Sequence, residues 1–240
     1  RLIGPRLGLP YQYASRPLQP PPAYRPKRSG PSPSIAIVTP SYGHGRFIAE
    51  TLQSVIGQNY PQLRYYVQDG GSEDETTDIL REWAPRLSGW QSSADNGQSQ
   101  AINLGFAQVS GDIMAYLNSD DLLLPGALDC VADHFADHPE VDVVYGNRLL
   151  IDEDSDEIGR WVLPGHDDEA MRWADYIPQE TLFWRRSIWE RAGGRIDESF
   201  RFAMDWDLLM RFRDAGARFA HIPRFLGAFR IHLSQKTSAE

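Results

Sequence analysis

The chain has one cysteine in 240 residues, Cys130, which excludes a disulfide framework and any cysteine-rich zinc module. No apolar run approaches the ~20 residues that a membrane-spanning helix needs. Basic residues are the minority: 24 Lys and Arg stand against 33 Asp and Glu, for a net charge of −9. Unspecific nucleic-acid binding is therefore not expected. Three signature motifs are missing. Gly43-His44-Gly45 lacks the third glycine of the dinucleotide fingerprint, no Gly-x-x-x-x-Gly-Lys-Ser/Thr phosphate loop occurs, and no Gly-x-Ser-x-Gly elbow occurs. A dehydrogenase, an ATPase of that type and a serine hydrolase are thereby set aside. Acidic residues are absent from residues 1–33, which hold nine prolines and six Lys or Arg. Pro20-Pro21-Pro22 and Pro31-Ser32-Pro33 bar helix and central strand there. Residues 1–33 are read as an extended basic arm, and deleting residues 1–30 is expected to leave folding intact. The chain opens on Arg1 rather than Met and shows no signal peptide, which leaves room for a preceding segment.

From Ser34 the pattern becomes strand alternating with helix. Ile35 to Val38, Leu63 to Val67, Trp90 to Ser92, Ile113 to Leu117 and Val141 to Tyr145 read as strands. Phe47 to Gln58, Asp74 to Trp83, Ser99 to Val109 and Pro125 to His138 read as the helices between them. Ile113 to Leu117 is apolar throughout, as a central parallel strand buried on both faces should be. This alternation implies right-handed βαβ units, an α/β fold and a mostly parallel sheet flanked by helices. The pattern fades after Gly146. Residues 149–164 read as an irregular acidic hairpin, residues 205–215 as a clearer helix, and 219–222 and 225–231 as late strands. Residues 34–240 are expected to form one domain, with a nucleotide-binding half (34–124) and an irregular acceptor-side half (125–240).

In open α/β sheets, ligands bind beyond the carboxyl ends of the strands. Four polar clusters follow four strands: Thr39-Pro40-Ser41-Tyr42, Gln68-Asp69-Gly70-Gly71-Ser72, Asp95-Asn96-Gly97-Gln98-Ser99 and Asn118-Ser119-Asp120-Asp121. One edge of one sheet should gather all four around a crevice. The adjacent carboxylates of Asp120 and Asp121 repel, and burying both calls for a counter-charge. A hard divalent cation, Mg²⁺ or Mn²⁺, is the economical one. An isolated Ser-Asp-Asp would read as a solvated turn with Asp121 capping the next helix. Its position after a buried strand, beside three other polar clusters, favours the metal. Gly70 and Gly71 permit close backbone approach to a ligand, and Asp69 can accept a hydrogen bond from a base or a ribose.

These motifs, with Ser34 to Tyr42, Asp95 to Asn103 and Tyr116 to Asp121 in this order and spacing, resemble the GT-A fold glycosyltransferases of family 2 over roughly residues 34–235. The resemblance implies a Rossmann-like GT-A domain, a nucleotide diphosphate sugar donor (UDP-sugar by default), a divalent cation and inversion at the anomeric carbon. It implies that Thr39, Pro40, Tyr42 and Asp69 surround base and ribose. Asp95, Asn96 and Gln98 would lie near ribose, diphosphate or donor sugar. Asn118 and Asp120 occupy the family's Asp-x-Asp positions, with Ser119 between them on the nucleotide side and Asp120 as metal ligand. Asn118 brings no charge, so a further ligand gains importance, and His232 is the candidate. Arg230 and Lys236 are candidates for neutralising the leaving diphosphate. Gln179 and Glu180 lie in a segment that the family uses near its acceptor.

Asp205 and Asp207 fall in the family's acidic motif, where one carboxylate deprotonates the acceptor. Helical geometry separates them. Three, four and seven residues after Asp205 come Leu208, Leu209 and Phe212, an apolar face. The same offsets from Asp207 give Met210, Arg211 and Asp214, so Asp207 should pair with Arg211 on the surface. Asp205 is thus the expected general base, and capping its helix is the plainer role. Trp161, Trp173, Trp184 and Trp206 are candidate sugar-stacking surfaces. The expected acceptor is a saccharide or lipid-linked glycan. The expected setting is the cytoplasm, with peripheral membrane attachment allowed. The alternatives are a sugar nucleotidyltransferase, which would want a more basic glycine-rich first loop, and a non-catalytic nucleotide-sugar binder, against which Asp120 and Asp205 argue.

Overall fold

The computed structural model describes residues 7–28, 30–233 and 235. Lys236 lies outside them. Four parallel strands form the centre: β2 (Ile35–Ser41), β3 (Leu63–Asp69), β4 (Gly89–Ser92) and β5 (Ile113–Tyr116), in the order β4-β3-β2-β5. The apolar runs of β2, β3 and β5 follow from burial on both faces, whereas the edge strand β4 is only half-buried. Ile35, Ile37, Ile113 and Ala115 enter one core, while Ala36, Val38, Met114 and Tyr116 enter the other. Helices α1 (Gly45–Ile56), α2 (Thr76–Trp83) and α4 (Ala127–Asp137) cover the first core. Helices α3 (Gln98–Gln108), α6 (Arg186–Arg191) and α7 (Met204–Asp214) cover the second. A Cβ on Gly105 of α3 would come within 2.4 Å of Val38 Cγ1, so glycine is what lets this helix lie close on β2.

Register brings the polar clusters to one edge. Ser41 pairs with Asp69, and Asp69 with Ser92, while Val38 pairs with Tyr116. The loops after β2, β3, β4 and β5 therefore leave the sheet side by side.

Beyond β5 the sheet becomes antiparallel along the order β5-β9-β7-β8-β1. These strands are β9 (Phe183–Arg185), β7 (Val143–Ile151), β8 (Glu157–Val162) and β1 (Leu9–Arg16). The residues expected as an irregular acidic hairpin are thus a regular β7–β8 pair with one register shift. The two late strands are one, β10 (Phe219–Arg230), bulged between Ile222 and Gly227, parallel to β7 and antiparallel to β6 (Leu122–Leu123). Short helix α5 (Asp168–Met171) and the 3₁₀ turn Gln179–Thr181 complete this half.

The proline-rich segment is extended, as its composition dictates, but it is fastened down. Strand β1 joins the sheet as an edge strand, where Pro10 is tolerated. Glu157, whose side chain is fully buried, accepts hydrogen bonds from Tyr13, Arg16 and Arg160. Arg28 bridges Asp129 at 2.6 Å and Asp133 at 2.8 Å on α4. Gly126 holds φ +80°, and a Cβ there would meet the Tyr24 backbone at 2.4 Å. Among the described residues, no helix is long and apolar enough to cross a membrane.

Candidate active site

A cavity of about 790 Å³ opens over the strand ends. Six carboxylates line it: Asp95, Asp120, Asp121, Asp175, Glu180 and Asp205. Pro40, Tyr42, Gln98, Asn118, Ser119 and Gln179 also line it, so ten of the expected site residues meet there.

Asp120 follows β5 directly. Its Oδ2 lies 3.0 Å from Nε2 of His232, whose side chain is buried behind it just past β10. His44, in the loop before α1, completes a group: one ligand atom each from His44, Asp120 and His232 lie within 4.8 Å of one another. Ser119 Oγ sits 2.8 Å from His44 Nδ1 and fixes that ring. Burial lowers the pKa of His44, which favours the neutral, ligating form. Two imidazole nitrogens with one carboxylate oxygen suit Mn²⁺ better than Mg²⁺, so these residues fit a divalent cation. His44 was absent from the expected ligands, because its only signal is a histidine between two glycines after the first strand.

Asn118 is held on both sides. Its Oδ1 accepts from Gln98 Nε2 at 2.6 Å, and its Nδ2 donates to Asp121 and Gln179, each at 3.2 Å. Burial and the neighbouring Asp120 and Glu180 charges push Asp121 well above the usual carboxylate range. An aspartate at 118 would add one more charge there, and the neutral amide supplies a donor instead.

Asp69 is fully buried and committed to its own loop. It accepts from the amides of Gly71 and Ser72 at 3.1 and 2.9 Å, and from the Ser72 and Ser92 hydroxyls at 2.6 Å. It shapes the loop that presents Gly70 to the cavity and does not line the cavity itself. Thr39 is likewise buried, 2.9 Å from the Tyr65 hydroxyl. Asn96 is exposed outside the cavity and bonds Gln100. Asp95 does line it, and burial raises its pKa, opposed in part by the Gly97 amide. Arg230 faces away from the cavity. Its guanidinium donates to the Asp120 and Asp152 carbonyls, Ser155 and Glu50, and its amide to Asp121. It braces the metal-side loop from behind.

On the opposite wall, α7 carries Asp205 in its first turn, after Ala203 in the left-handed region at φ 55°. Asp205 lines the cavity, and among the described residues its hydrogen-bond partner is the adjacent Trp206 amide at 3.0 Å. Ala203, not Asp205, is the capping position. Asp207 instead pairs with Arg211 at 2.8 Å, as the helical offsets required. Glu180 forms a two-pronged ion pair with Arg148 from β7. Trp161 lines the cavity, Trp184 is core, and Trp173 is exposed elsewhere. Trp206 donates to the Met171 carbonyl at 2.9 Å and stays out of the cavity. Asp175 and Arg148 also line the cavity but escaped the sequence reading, since neither motif nor periodicity marks them; Tyr116, at the end of β5, lines it too.

The model of the family "Glycosyl transferase family 2" matches residues 36–212. The O-antigen biosynthesis protein RfbC of Myxococcus xanthus is 31% identical over 195 residues, 79% of this chain but 15% of that protein. The chain therefore spans a small part of that relative. S. aureus TarS residues 1–349, solved in complex with UDP-GlcNAc, superposes with a TM-score of 0.70 at 17% identity, covering 86% of this chain and 61% of that one. The mannosyltransferase PcManGT of Pyrobaculum calidifontis, solved with GDP-Man and Mn²⁺, gives a TM-score of 0.64 at 20% identity, covering 91% and 60%. With the strand-end cavity, its two walls of carboxylates and a family match over most of its length, the chain belongs to glycosyl transferase family 2 and has the GT-A fold.

Proposed function

We propose that the chain transfers a sugar from a nucleoside diphosphate sugar, a UDP-sugar by preference, to a hydroxyl of a saccharide or lipid-linked glycan, with inversion. One observation carries this reading: His44 and Asp120, backed by the buried His232, and the lightly bonded Asp205 carboxylate line one cavity from the two halves of the chain. The nucleotide lies along the loops after β2 to β5, against Pro40, Tyr42, Gly70, Asp95 and Gln98. Asp120, His44 and His232 would hold a divalent cation, which would supply positive charge to the departing diphosphate. The acceptor oxygen attacks the anomeric carbon as Asp205 takes its proton. The bond from that carbon to the diphosphate oxygen breaks, and its electron pair leaves with the nucleoside diphosphate. One displacement of this kind inverts the anomeric centre. The UDP-GlcNAc and the GDP-Man with Mn²⁺ in the two fold neighbours support a nucleotide-sugar donor. O-antigen biosynthesis in the name of the Myxococcus relative supports a glycan acceptor.

A thermal-shift panel of UDP, GDP, UDP-GlcNAc and GDP-Man, each with and without Mn²⁺, tests this. A ligand that binds only the folded state at 100 times its Kd adds about 2.7 kcal/mol of stability. The expected result is a shift with one nucleotide series that grows with Mn²⁺. A flat panel, together with no nucleotide released from either sugar donor, sinks the reading.

A further inference from the structure

Arg230 is the last residue of β10, and its side chain is fully buried. Taking a guanidinium out of water is costly unless its donors are met. Three separate parts of the chain meet them. Nε donates to the Asp120 carbonyl at 2.8 Å. Nη1 donates to the Asp152 carbonyl at 3.0 Å and to Ser155 Oγ at 2.8 Å, both in the β7–β8 turn. Nη2 donates to Glu50 of α1 at 2.8 Å. Among the described residues, Glu50 is the one carboxylate that the guanidinium meets. That side chain is half-exposed, so the ion pair alone offsets only part of the burial. What these partners share is their place behind the metal-binding group. Asp120 belongs to that group, and His232 stands two residues beyond Arg230. Phe47 of α1 touches both: its ring centroid lies 4.8 Å from the Arg230 guanidinium carbon and 4.7 Å from the His232 ring. The backbone leading to His232 is held as well. The Arg230 amide donates to Asp121 at 3.0 Å, and the Ile231 amide to the Ile151 carbonyl at 2.8 Å.

We propose that Arg230 is a positioning residue for cation binding: its guanidinium fixes the Asp120 carboxylate against the His232 imidazole, 3.0 Å apart, by tying the loop after β5 and the β7–β8 turn to the end of β10. The proposal rests on the cation-binding group of the reaction described above. Asp120 and His232 lie on different elements, far apart in sequence, and metal ligands must be placed to within about 0.2 Å. A group that holds both elements at once sets that spacing before the cation arrives. The planar fork of an arginine can serve three directions together, whereas a lysine ammonium is a point charge on a flexible stem. The β7–β8 turn thereby works for the donor wall from behind. Ser155, in the left-handed region at φ 66°, accepts from Arg230 and donates to Glu50, which closes the network onto α1.

Two quantities are measured on each variant: Mn²⁺ affinity of the protein without donor, by electron paramagnetic resonance, and the thermal unfolding midpoint in EDTA. Arg230→Lys should weaken Mn²⁺ binding about 10–100-fold, the usual cost of losing a partner behind a metal ligand. In a His232→Ala background the same change should cost clearly less, because the ligand that Arg230 positions is gone. An equal loss in both backgrounds means that Arg230 does not act through His232, and overturns the proposal. Arg28→Ala is the comparison for a merely structural arginine. It removes a mostly buried guanidinium held by Asp129 and Asp133 on α4, outside the cavity. It should lower the midpoint and leave Mn²⁺ affinity alone. Arg230→Lys with the same behaviour, a lower midpoint at wild-type Mn²⁺ affinity, makes Arg230 an ordinary structural residue and overturns the proposal. If Arg230→Lys fails to fold, Glu50→Gln and Ser155→Ala carry the test, since each removes one outer partner of the fork. Both should weaken Mn²⁺ binding by a smaller factor, and unchanged affinity in both overturns the proposal. A wild type that binds no Mn²⁺, alone or with UDP or GDP, removes the cation from the transfer reading and the proposal with it. Unchanged affinity in Arg230→Lys leaves that reading intact.

Discussion

The two walls of the cavity are built on different terms. On the donor side nearly every polar side chain is already tied to another. Asp69 accepts three hydrogen bonds from its own loop and one from Ser92 of β4, Asn118 is gripped by Gln98 and Gln179, and His232 and Ser119 hold Asp120 and His44. On the acceptor side Asp205 has one local amide, Asp175 has none, and Ala203 sits in the left-handed region. A wall that must present the same diphosphate geometry at each turnover gains from being organised beforehand. A wall that removes a proton must keep basic oxygens open, and open carboxylates cost stability. On the proposed reaction, the contrast would separate the half that binds from the half that reacts.

The sharpest way to break the contrast is at Asp205. Asp205→Asn should slow transfer ~10²–10⁴-fold with donor affinity nearly unchanged, the usual scale for a lost base. Asp207→Asn should cost little activity and about 1–2 kcal/mol of stability, since it weakens one half-buried ion pair with Arg211 outside the cavity while Arg211 keeps the Ala192 and Arg195 carbonyls. Steady-state rates and donor titrations on both variants decide it. A large loss of donor affinity in Asp205→Asn would move this residue to the binding wall and erase the contrast.

On the donor side the converse should hold. Asp120→Ala is expected to abolish Mn²⁺-dependent binding of nucleoside diphosphate in calorimetry. His44→Ala should weaken it at least ~10-fold, about 1.4 kcal/mol. Mn²⁺-dependent affinity unchanged in His44→Ala would remove this residue from the metal group.

How much of this was legible without coordinates follows the same division. Three of the four strand-end clusters could be read because each follows a run of buried residues, such as Ile35 to Val38, whose pattern depends on neighbours in the chain; the Asp95 cluster follows the half-buried edge strand β4 and was placed by the alternation of strand and helix around it. Asp205 could be separated from Asp207 because a helix converts spacing into direction. Arg230 defeated the reading, since its guanidinium is spent on carbonyls of Asp120 and Asp152, far away in sequence. Thr39 failed for a related reason: β2 turns it inward to Tyr65. His44 and Asp175 carry no local pattern, and only the fold brings them to the cavity. The β7–β8 hairpin was obscured because the acidic run of its turn, Asp152 to Asp156, reads as a loop that swallows the ends of both strands.

Truncation of residues 1–28 sharpens the contrast in a third way. The basic, proline-rich composition suggested a dispensable arm, but the structure gives β1 a place at the sheet edge. Without it, Glu157 keeps only Arg160, and Asp133 loses Arg28 and Tyr24. Breaking buried pairs costs roughly 3–5 kcal/mol, so the melting temperature should fall clearly. The Leu7 carbonyl also accepts from the Trp161 indole at 2.9 Å, and Trp161 lines the acceptor wall. Donor affinity of the remaining folded protein should be preserved while transfer falls. Loss of donor binding in step with transfer would show that the arm supports the whole cavity rather than one wall.

The smallest expected effect tests whether the acceptor wall stores strain. Ala203 holds φ 55° immediately before the helix that carries Asp205. For a residue with a Cβ this region costs roughly 1–2 kcal/mol, and glycine escapes most of that cost. Ala203→Gly should therefore stabilise the fold by up to about 1 kcal/mol, the gain being trimmed by the greater freedom of glycine in the unfolded chain. If the strained residue aims α7, the same change should lower transfer several-fold while leaving nucleoside diphosphate affinity alone. Denaturant midpoints and transfer rates measured on one preparation read both quantities. A stabilised variant with full activity would mean that the turn is merely tight. A destabilised one would mean that the neighbours of Ala203 hold its methyl group in useful contact, and the acceptor wall would then be as fully packed as the donor wall.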